Sequence, residues 1–340
     1  MNYKRGKGWN RREFLKTAAL AGAGTLLGPR SNLFAAEPPP ETTKLRLIRS
    51  AMCQAPQYLA DELLRGEGFT DIQDIRKGRS IPPRIQALAA GEGDILSTYI
   101  GPLLARIDAG DPIVIISGLH AGCLELFATE KIRTVRDLKG KTVAVTEIRS
   151  GGHYFLASVM SYVGLNPDKD INWVAHPATD SMRLLAEGKI DAYMASPPDP
   201  YELRVRKIGH VIVKSTTDRP WSQYFCCMVA ANREFVRKNP VATKRALRAI
   251  MKSTNICALE PERSARQAVE KGYSENYDSA LGTLKEIPYG QWREFDPEDT
   301  VRFFSLRLNE IGMIKNSPQK IIAQGTDWRF LRELKKELKA

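Results

Sequence analysis

A glycine-rich turn stands between a β-branched run, Thr142–Thr146, and an apolar helical pattern that begins at Tyr154. The turn reads Arg149-Ser150-Gly151-Gly152-His153, and its small residues would let a ligand approach the backbone. Free backbone N–H groups at the start of a helix attract negative charge. The spacing matches neither a Walker A loop nor the three-glycine dinucleotide pattern. The turn therefore indicates an anion site on an α/β sheet, although glycines required only by β–α turn geometry would give the same sequence.

Cysteines are the second group that could do chemistry. The chain has five, and an odd number leaves at least one thiol unpaired in an oxidising compartment. No spacing matches a metal site, so buried free thiols are expected. The adjacent residues Cys226 and Cys227 cannot comfortably bind one metal ion, and a disulfide between them would be strained. We therefore expect no metal and no cofactor, with a redox or metal role for this pair as the alternative.

Catalytic signatures are missing from the sequence. It contains no nucleophile elbow, no Ser-His-Asp order signature, and no deaminase or zincin motif. Glu187 and Asp191 are close in the sequence, but they belong to a helix-end turn that also occurs at Glu92 and Asp94. We expect a structural role for both carboxylates. The sequence thus favours a binding protein over an enzyme.

Length and charge restrict the class of protein. A chain of 340 residues is long enough for two α/β lobes with separate cores. The net charge is +12, but the first 36 residues hold seven Lys/Arg and one Glu, so the remainder carries only +6. This mild and dispersed charge does not favour nucleic acid as a partner.

The N-terminus predicts an export signal. Asn10–Lys16 matches a twin-arginine motif, and the weakly apolar, uncharged stretch Thr17–Pro29 is too short to span a bilayer. We expect a signal peptide over residues 1–36, a Pro-rich leader over residues 37–43, and a periplasmic location. A basic tail followed by an ordinary helix is the alternative.

Strand and helix patterns alternate along the chain from Leu45 to Val213, which is typical of a mostly parallel sheet flanked by helices. The wholly apolar run Ile113–Ile116 is typical of a strand buried on both faces. From Asn239 onward only helical patterns remain, and we expect these helices to pack on the first half of the structure. The predicted fold class is therefore α/β with added C-terminal helices.

Four short motifs carry a resemblance to a known family. They are Ala55–Ala60, Ala87–Ile95, Ile132–Val145 and Leu184–Ala192, in this order. The chain resembles periplasmic solute-binding proteins of ABC transporters, in the nitrate/sulfonate/taurine group that also includes binders of thiamine-pyrimidine precursors. The resemblance implies a two-lobe (type II) fold. The first lobe would comprise residues 44–120 and 228–340, and the second lobe residues 121–227.

In a two-lobe protein of this kind the ligand lies between the lobes, outside the carboxyl ends of the strands. Six loops meet this condition, and their hydroxyls, amides, N–H groups and aromatic faces suit a small planar or anionic molecule. The candidate ligand-binding residues are Gln54, Ser97, Thr98, Tyr99, His120, Arg149, Ser150, Gly151, Gly152, His153, Ser196, Trp221 and Tyr224. The two histidines could instead be hydrogen-bonded core residues, Arg149 a solvated loop cation, and the two aromatic residues part of the lobe core.

The resemblance also implies a function and partners. It implies a monomeric component of an ABC importer that captures a small anionic solute of the sulfonate, nitrate or carboxylate type. Closure on the solute would let it dock on a permease and ATPase complex in the inner membrane. Three alternatives stay open: binding of a pyrimidine or another heterocycle, an enzyme on the same fold that uses Cys226 and Cys227, and a periplasmic ligand sensor.

Overall fold

The computed structural model describes residues 37–49, 52–75 and 80–338. The predicted signal peptide, residues 1–36, lies outside these described residues. The described residues from Pro39 onward form one compact unit. None of the described helices is long and apolar enough to cross a membrane.

Five strands form the first of two sheets. They are β1 Lys44–Ile48, β2 Asp71–Ile75, β3 Ile95–Tyr99, β4 Ile113–Ala121 and β10 Phe225–Asn232. Their order is β2-β1-β3-β10-β4, in which β1 pairs in parallel with β2 and β3, and β10 runs antiparallel to β3 and β4. Every residue of β3, β4 and β10 is buried, as expected for strands covered on both faces.

The second sheet repeats this plan. Its strands are β5 Glu125–Ala128, β6 Lys141–Val145, β7 Ile171–Ala175, β8 Ala192–Ala195 and β9 His210–Lys214. Their order is β7-β6-β8-β5-β9, and β5 is the antiparallel strand. We call the part built on the first sheet the first lobe and the part built on the second sheet the second lobe. The predicted two-lobe α/β fold is confirmed, with one antiparallel strand in each otherwise parallel sheet.

Fourteen α-helices lie in the described part of the chain. They are α1 Ala55–Tyr58, α2 Asp61–Gly66, α3 Ile81–Ala89, α4 Ile100–Asp108, α5 Gly151–Tyr162, α6 Ala178–Ala186, α7 Asp199–Val205, α8 Arg233–Lys238, α9 Pro240–Leu259, α10 Pro261–Glu270, α11 Tyr277–Glu286, α12 Pro297–Glu310, α13 Pro318–Gly325 and α14 Arg329–Glu337. Sequence periodicity missed α8 and α13. Both are short, begin at side-chain caps (Asn232 and Ser317), and bury too few residues to show a helical period.

The helix-end turns that recur in the sequence have the structural role expected of them. The buried carboxylate of Asp94 accepts the backbone N–H of Arg46 at 2.7 Å and pairs with its guanidinium at 2.6 Å. In the second lobe the carboxylate of Asp191 accepts the backbone N–H of Thr142 at 2.9 Å. Each aspartate thus joins the start of one strand to the start of its neighbour.

The chain crosses between the lobes twice, after Ala121 and after Lys214. Gly122 has a φ of +51°, and a Cβ at this position would lie 2.5 Å from Thr216 Cα. The Ser215 hydroxyl accepts the backbone N–H of Cys123 at 3.0 Å. The two crossovers therefore pack directly against each other.

The C-terminal helices contact both lobes. α12 packs on α4 of the first lobe and on α5 of the second, and α11 packs on α7 of the second lobe. The expectation that these helices pack on the first lobe was therefore incomplete. The physical reason is a cluster of aromatic rings, since Phe303 of α12 stacks on Tyr224 at 4.1 Å and meets Trp221 at 5.5 Å. Trp221 in turn meets Phe155 of α5 at 5.4 Å.

Candidate functional site

A cavity of about 600 Å³ lies between loops of the two lobes. We call it the cleft. Parallel strands place their carboxyl ends at one edge of a sheet, and loops from those edges of both sheets line the cleft. Seven of the thirteen predicted residues line it: Gln54, Thr98, Tyr99, Ser150, Gly151, Gly152 and Ser196. No ligand tests these contacts, so they remain predictions.

The start of α5 lies at the second-lobe wall. The Ser150 hydroxyl caps this helix by accepting the backbone N–H of His153 at 3.3 Å. Gly151 and Gly152 follow, and a Cβ on either would come within 3.0 Å of Tyr99 or Met194. These glycines therefore permit close packing of the helix start against both lobes. Their backbone N–H groups give the cleft a positive partial charge.

Arg84 supplies a full positive charge from the first lobe. It lies in α3, lines the cleft and is 2% exposed. Its Nε donates to the backbone carbonyl of Ser80 at 2.9 Å, which fixes the guanidinium near the cleft. Burial lowers the pKa of Arg84 to about 10, while attraction to Cys53, Cys227 and Glu147 opposes that shift. At neutral pH the group is still a cation.

Two carboxylates also line the cleft, but each already has a protein partner. The Ser80 hydroxyl donates to Glu147 at 2.7 Å, across the gap between the lobes. The Tyr193 hydroxyl donates to Asp199 at 2.7 Å. A neutral hydroxyl donor does not cancel the charge of a carboxylate, and Glu147 also attracts Arg84, so the cleft lining combines positive and negative groups.

Two hydroxyls at the end of β3 are available to a ligand. Thr98 Oγ1 and the Tyr99 hydroxyl are buried and make no hydrogen bond with any described residue. A buried polar group without a partner costs about 1–3 kcal/mol. Burial raises the pKa of Tyr99 well above its ordinary value, so its hydroxyl keeps the proton and can donate. A ligand acceptor in the cleft would satisfy it.

The other six predicted residues lie outside the cleft lining. Arg149 is exposed and has a φ of +67°. Trp221 and Tyr224 belong to the aromatic cluster with Phe303. Ser97 is fully buried within β3, and its backbone N–H donates to Gln57 at 2.8 Å. As ligand contacts these residues remain predictions without geometric support.

Both predicted histidines are buried in the core. The ring of His153 lies 4.6 Å from that of Trp173, and burial lowers its pKa to about 4. His120 lies in β4, behind the cleft wall, beside three cysteines. Those cysteines, Cys53, Cys123 and Cys227, line the cleft itself.

Sequence reasoning missed Arg84 and the cysteine lining. Arg84 falls in the segment Ile81-Pro82-Pro83-Arg84, and the predicted helix began only at Ile85. Two prolines are favourable in the first turn of a helix, so this pattern could have moved the helix start forward. The sequence drew attention to the pair Cys226 and Cys227 but not to the set of Cys53, Cys123 and Cys227, because these three residues lie far apart in the chain.

The model of the NMT1-like family matches residues 67–271. One relative is a protein of Brucella abortus (strain 2308) that is provisionally named a binding protein. It is 27% identical over 192 residues, which is 56% of this chain. The chain spans 59% of the length of that relative.

Solved structures show the same fold. The periplasmic nitrate-binding protein NrtA from Synechocystis PCC 6803 has a TM-score of 0.72 at 15% identity, covering 89% of this chain and 90% of its own. The periplasmic aliphatic sulphonate binding protein SsuA from Escherichia coli has a TM-score of 0.65 at 18% identity, covering 85% and 94%. At these identities the match establishes the architecture alone.

Proposed function

Because the chain belongs to the NMT1-like family, we propose that it is a periplasmic solute-binding protein that captures a small organic anion in its cleft. The relatives and structural neighbours described above are binding proteins rather than enzymes. The observation that carries the proposal is that Arg84 of the first lobe and the start of α5 of the second lobe line one cavity. A buried cation and the backbone N–H groups of a helix start, both in one cavity, suit a carboxylate or sulfonate group.

The size and lining of the cleft favour an organic anion over a bare inorganic one. Cavities of about 300–1,000 Å³ accommodate drug-sized ligands, and this one measures about 600 Å³. Apolar side chains, among them Met52, Ile81 and Leu124, form much of the lining. The charged end of the solute would lie between Arg84 and α5, and its apolar body against these side chains.

Delivery to an ABC permease and ATPase in the inner membrane completes the proposal. Capture would draw the lobes together about the two crossovers, because the solute contacts both walls and so favours the closed arrangement. The hydrogen bond between Ser80 and Glu147 joins the lobes at the rim of the cleft and would help to hold that arrangement.

Thermal unfolding of the chain from Glu37 onward tests the proposal. The panel would hold alkanesulfonates and small carboxylates, with nitrate, bicarbonate and uncharged pyrimidines for comparison. A solute at 100 times its dissociation constant should add about 2.7 kcal/mol to the free energy of unfolding. We expect this for an organic anion, and for its uncharged amide or alcohol analogue we expect no shift.

Stabilisation by an uncharged heterocycle alone would contradict the anion proposal. If chromatography shows that the chain consumes a stabilising ligand, the chain would be an enzyme rather than a transport component. If the chain binds a solute but cells that lack the chain take up that solute as fast as cells that have it, the sensor role would be favoured instead.

A further inference from the structure

Four side chains with metal-binding atoms converge at one wall of the cleft: Cys53, His120, Cys123 and Cys227. One potential ligand atom from each lies within 4.8 Å of the others. All four residues are buried, and the most exposed of them, Cys123, is 8% exposed. We propose that these residues bind one zinc ion, in a site distinct from the anion contacts of Arg84 and α5.

The spacing of the four atoms fits tetrahedral coordination after a small contraction. Zinc binds thiolate sulfur at about 2.3 Å and imidazole nitrogen at about 2.0–2.1 Å, so the sulfurs of a tetrahedral site lie about 3.8 Å apart. The atoms here lie within 4.8 Å of one another, so shifts of about 1 Å or less would bring them into place. Three cysteines and one histidine form a ligand set that zinc uses in closed, four-coordinate sites.

The backbone holds the four residues from separate segments. Cys227 in β10 lies directly opposite His120 in β4, in the antiparallel register of the first sheet. Cys53 lies in the turn Met52–Gln54, and its carbonyl accepts the Tyr289 hydroxyl at 2.9 Å. Cys123 lies in the first crossover, where its N–H donates to Ser215. Ligands fixed in this way lose little freedom when they bind a metal.

The orientation of His120 is an independent sign of a metal ligand. Its Nδ1 lies 3.2 Å from the carbonyl oxygen of Ala121 and 3.1 Å from that of Gly122. Both oxygens can only accept, so Nδ1 carries the proton and the lone pair is on Nε2. Nε2 is buried and makes no hydrogen bond with any described residue. A histidine that donates one ring N–H to a backbone carbonyl and directs the other nitrogen at a metal is the usual arrangement.

Charge balance also suits this site. Zinc displaces the protons of the three thiols, and three thiolates with one Zn²⁺ leave a net charge of about −1. Arg84 is buried close enough to Cys53 and Cys227 for their charges to attract. Its guanidinium, which also lines the solute cavity, would offset part of that charge.

Cys226 provides the competing chemistry. Its Sγ lies 2.9 Å from that of Cys123, although it is not one of the four converging residues. Loss of two hydrogens to an oxidant would join these sulfurs in a disulfide and remove Cys123 from the metal site. An experiment on the zinc proposal must therefore measure the state of the thiols as well as the metal.

The test uses the chain from Glu37 onward, reduced, stripped with a chelator and checked for folding by circular dichroism. Zinc would be titrated against a chromophoric chelator, and cobalt(II) added separately as a spectroscopic probe. We expect one zinc per chain, together with the thiolate-to-cobalt charge-transfer band and the intense visible bands of tetrahedral cobalt. Cys227→Ser and His120→Gln should each weaken zinc binding by more than about 100-fold. Cys257→Ser is the matched control, because Cys257 is also fully buried but lies outside the cluster.

Three outcomes would overturn the zinc site. The folded, reduced wild-type chain could fail to compete with the chelator for one zinc, a result that needs no variant. Cys227→Ser and Cys257→Ser could bind zinc equally. Peptide mass spectrometry of chain isolated from the periplasm could show a Cys123–Cys226 disulfide. Solute binding by the zinc-free chain is a separate readout, so failure of the metal site leaves the proposed solute-binding function intact.

Discussion

Arg84 and Arg149 are both candidates for pairing with an anion, and they differ in burial. Arg149 stood out in the sequence because it precedes a glycine-rich helix start. In the structure it is exposed, whereas Arg84 is buried in the cleft lining. A buried cation attracts an anion more strongly than an exposed one, because water screens the exposed charge. The structure therefore favours Arg84 as the residue that pairs with the solute.

His153 makes the free energy of unfolding depend on pH. Burial lowers its pKa to about 4 in the folded chain, against about 6.5 when unfolded. The unfolded chain therefore binds more protons between these values, and stability falls as the pH falls through this window. The full shift corresponds to about 3 kcal/mol.

Urea unfolding of wild type and of His153→Phe from pH 7 to pH 4 would measure this effect. Phenylalanine retains an aromatic ring against Trp173 but does not titrate. We expect the wild type to lose up to about 3 kcal/mol more than the variant over this range. Parallel curves for the two chains would show that His153 carries no such pH dependence.

At the scale of elements, β–α alternation predicted mostly parallel sheets flanked by helices, and the family resemblance implied the two lobes. The predicted strands Ile171–Ala175 and Ala192–Ala195 match the structure to the residue. The turn before the helix was located correctly, although the helix starts at Gly151 rather than Tyr154, and anion binding by this turn stays a prediction. Local patterns succeed here because one strand or turn contains the whole signal.

The cysteine cluster could not be predicted in this way. Its residues come from a turn, two strands and a crossover, and the pairing of β4 with β10 accounts only for His120 and Cys227 lying opposite each other. The role of the C-terminal helices was equally hidden. Helical periodicity predicts a buried face but does not identify the lobe that covers it.

Substitution of Gly122 by alanine tests how closely the two crossovers pack. Alanine there would adopt an unfavourable positive φ, and its Cβ would collide with the backbone of Thr216. Gly188 is a matched control, because its φ is +66° but no atom lies within 4 Å of a Cβ at that position. We expect Gly188→Ala to cost about 1–2 kcal/mol from backbone strain alone.

For Gly122→Ala we expect a cost of about 3 kcal/mol or more, since the collision adds to the strain. Denaturant midpoints of the two variants would measure the difference. Equal destabilisation would mean that the crossovers separate easily and are not packed as described.

At the scale of the whole molecule, two lobes are joined by two crossovers that pack against each other. The resemblance to nitrate and sulfonate binding proteins is confirmed by the family match and by the shared architecture. α12 contacts both lobes, so any closing motion must preserve or rearrange the aromatic cluster of Trp221, Tyr224 and Phe303.

Calorimetric titration of Arg84→Gln and Arg149→Gln with the organic anion that stabilises the wild type tests the central claim most directly. A charge-assisted hydrogen bond contributes about 1.5–3 kcal/mol, so Arg84→Gln should weaken binding roughly 10- to 100-fold. Arg149→Gln should bind within about twofold of wild type, because water screens an exposed charge. The reverse order, with Arg149 required and Arg84 dispensable, would contradict the account and move the anion out of the cleft described here.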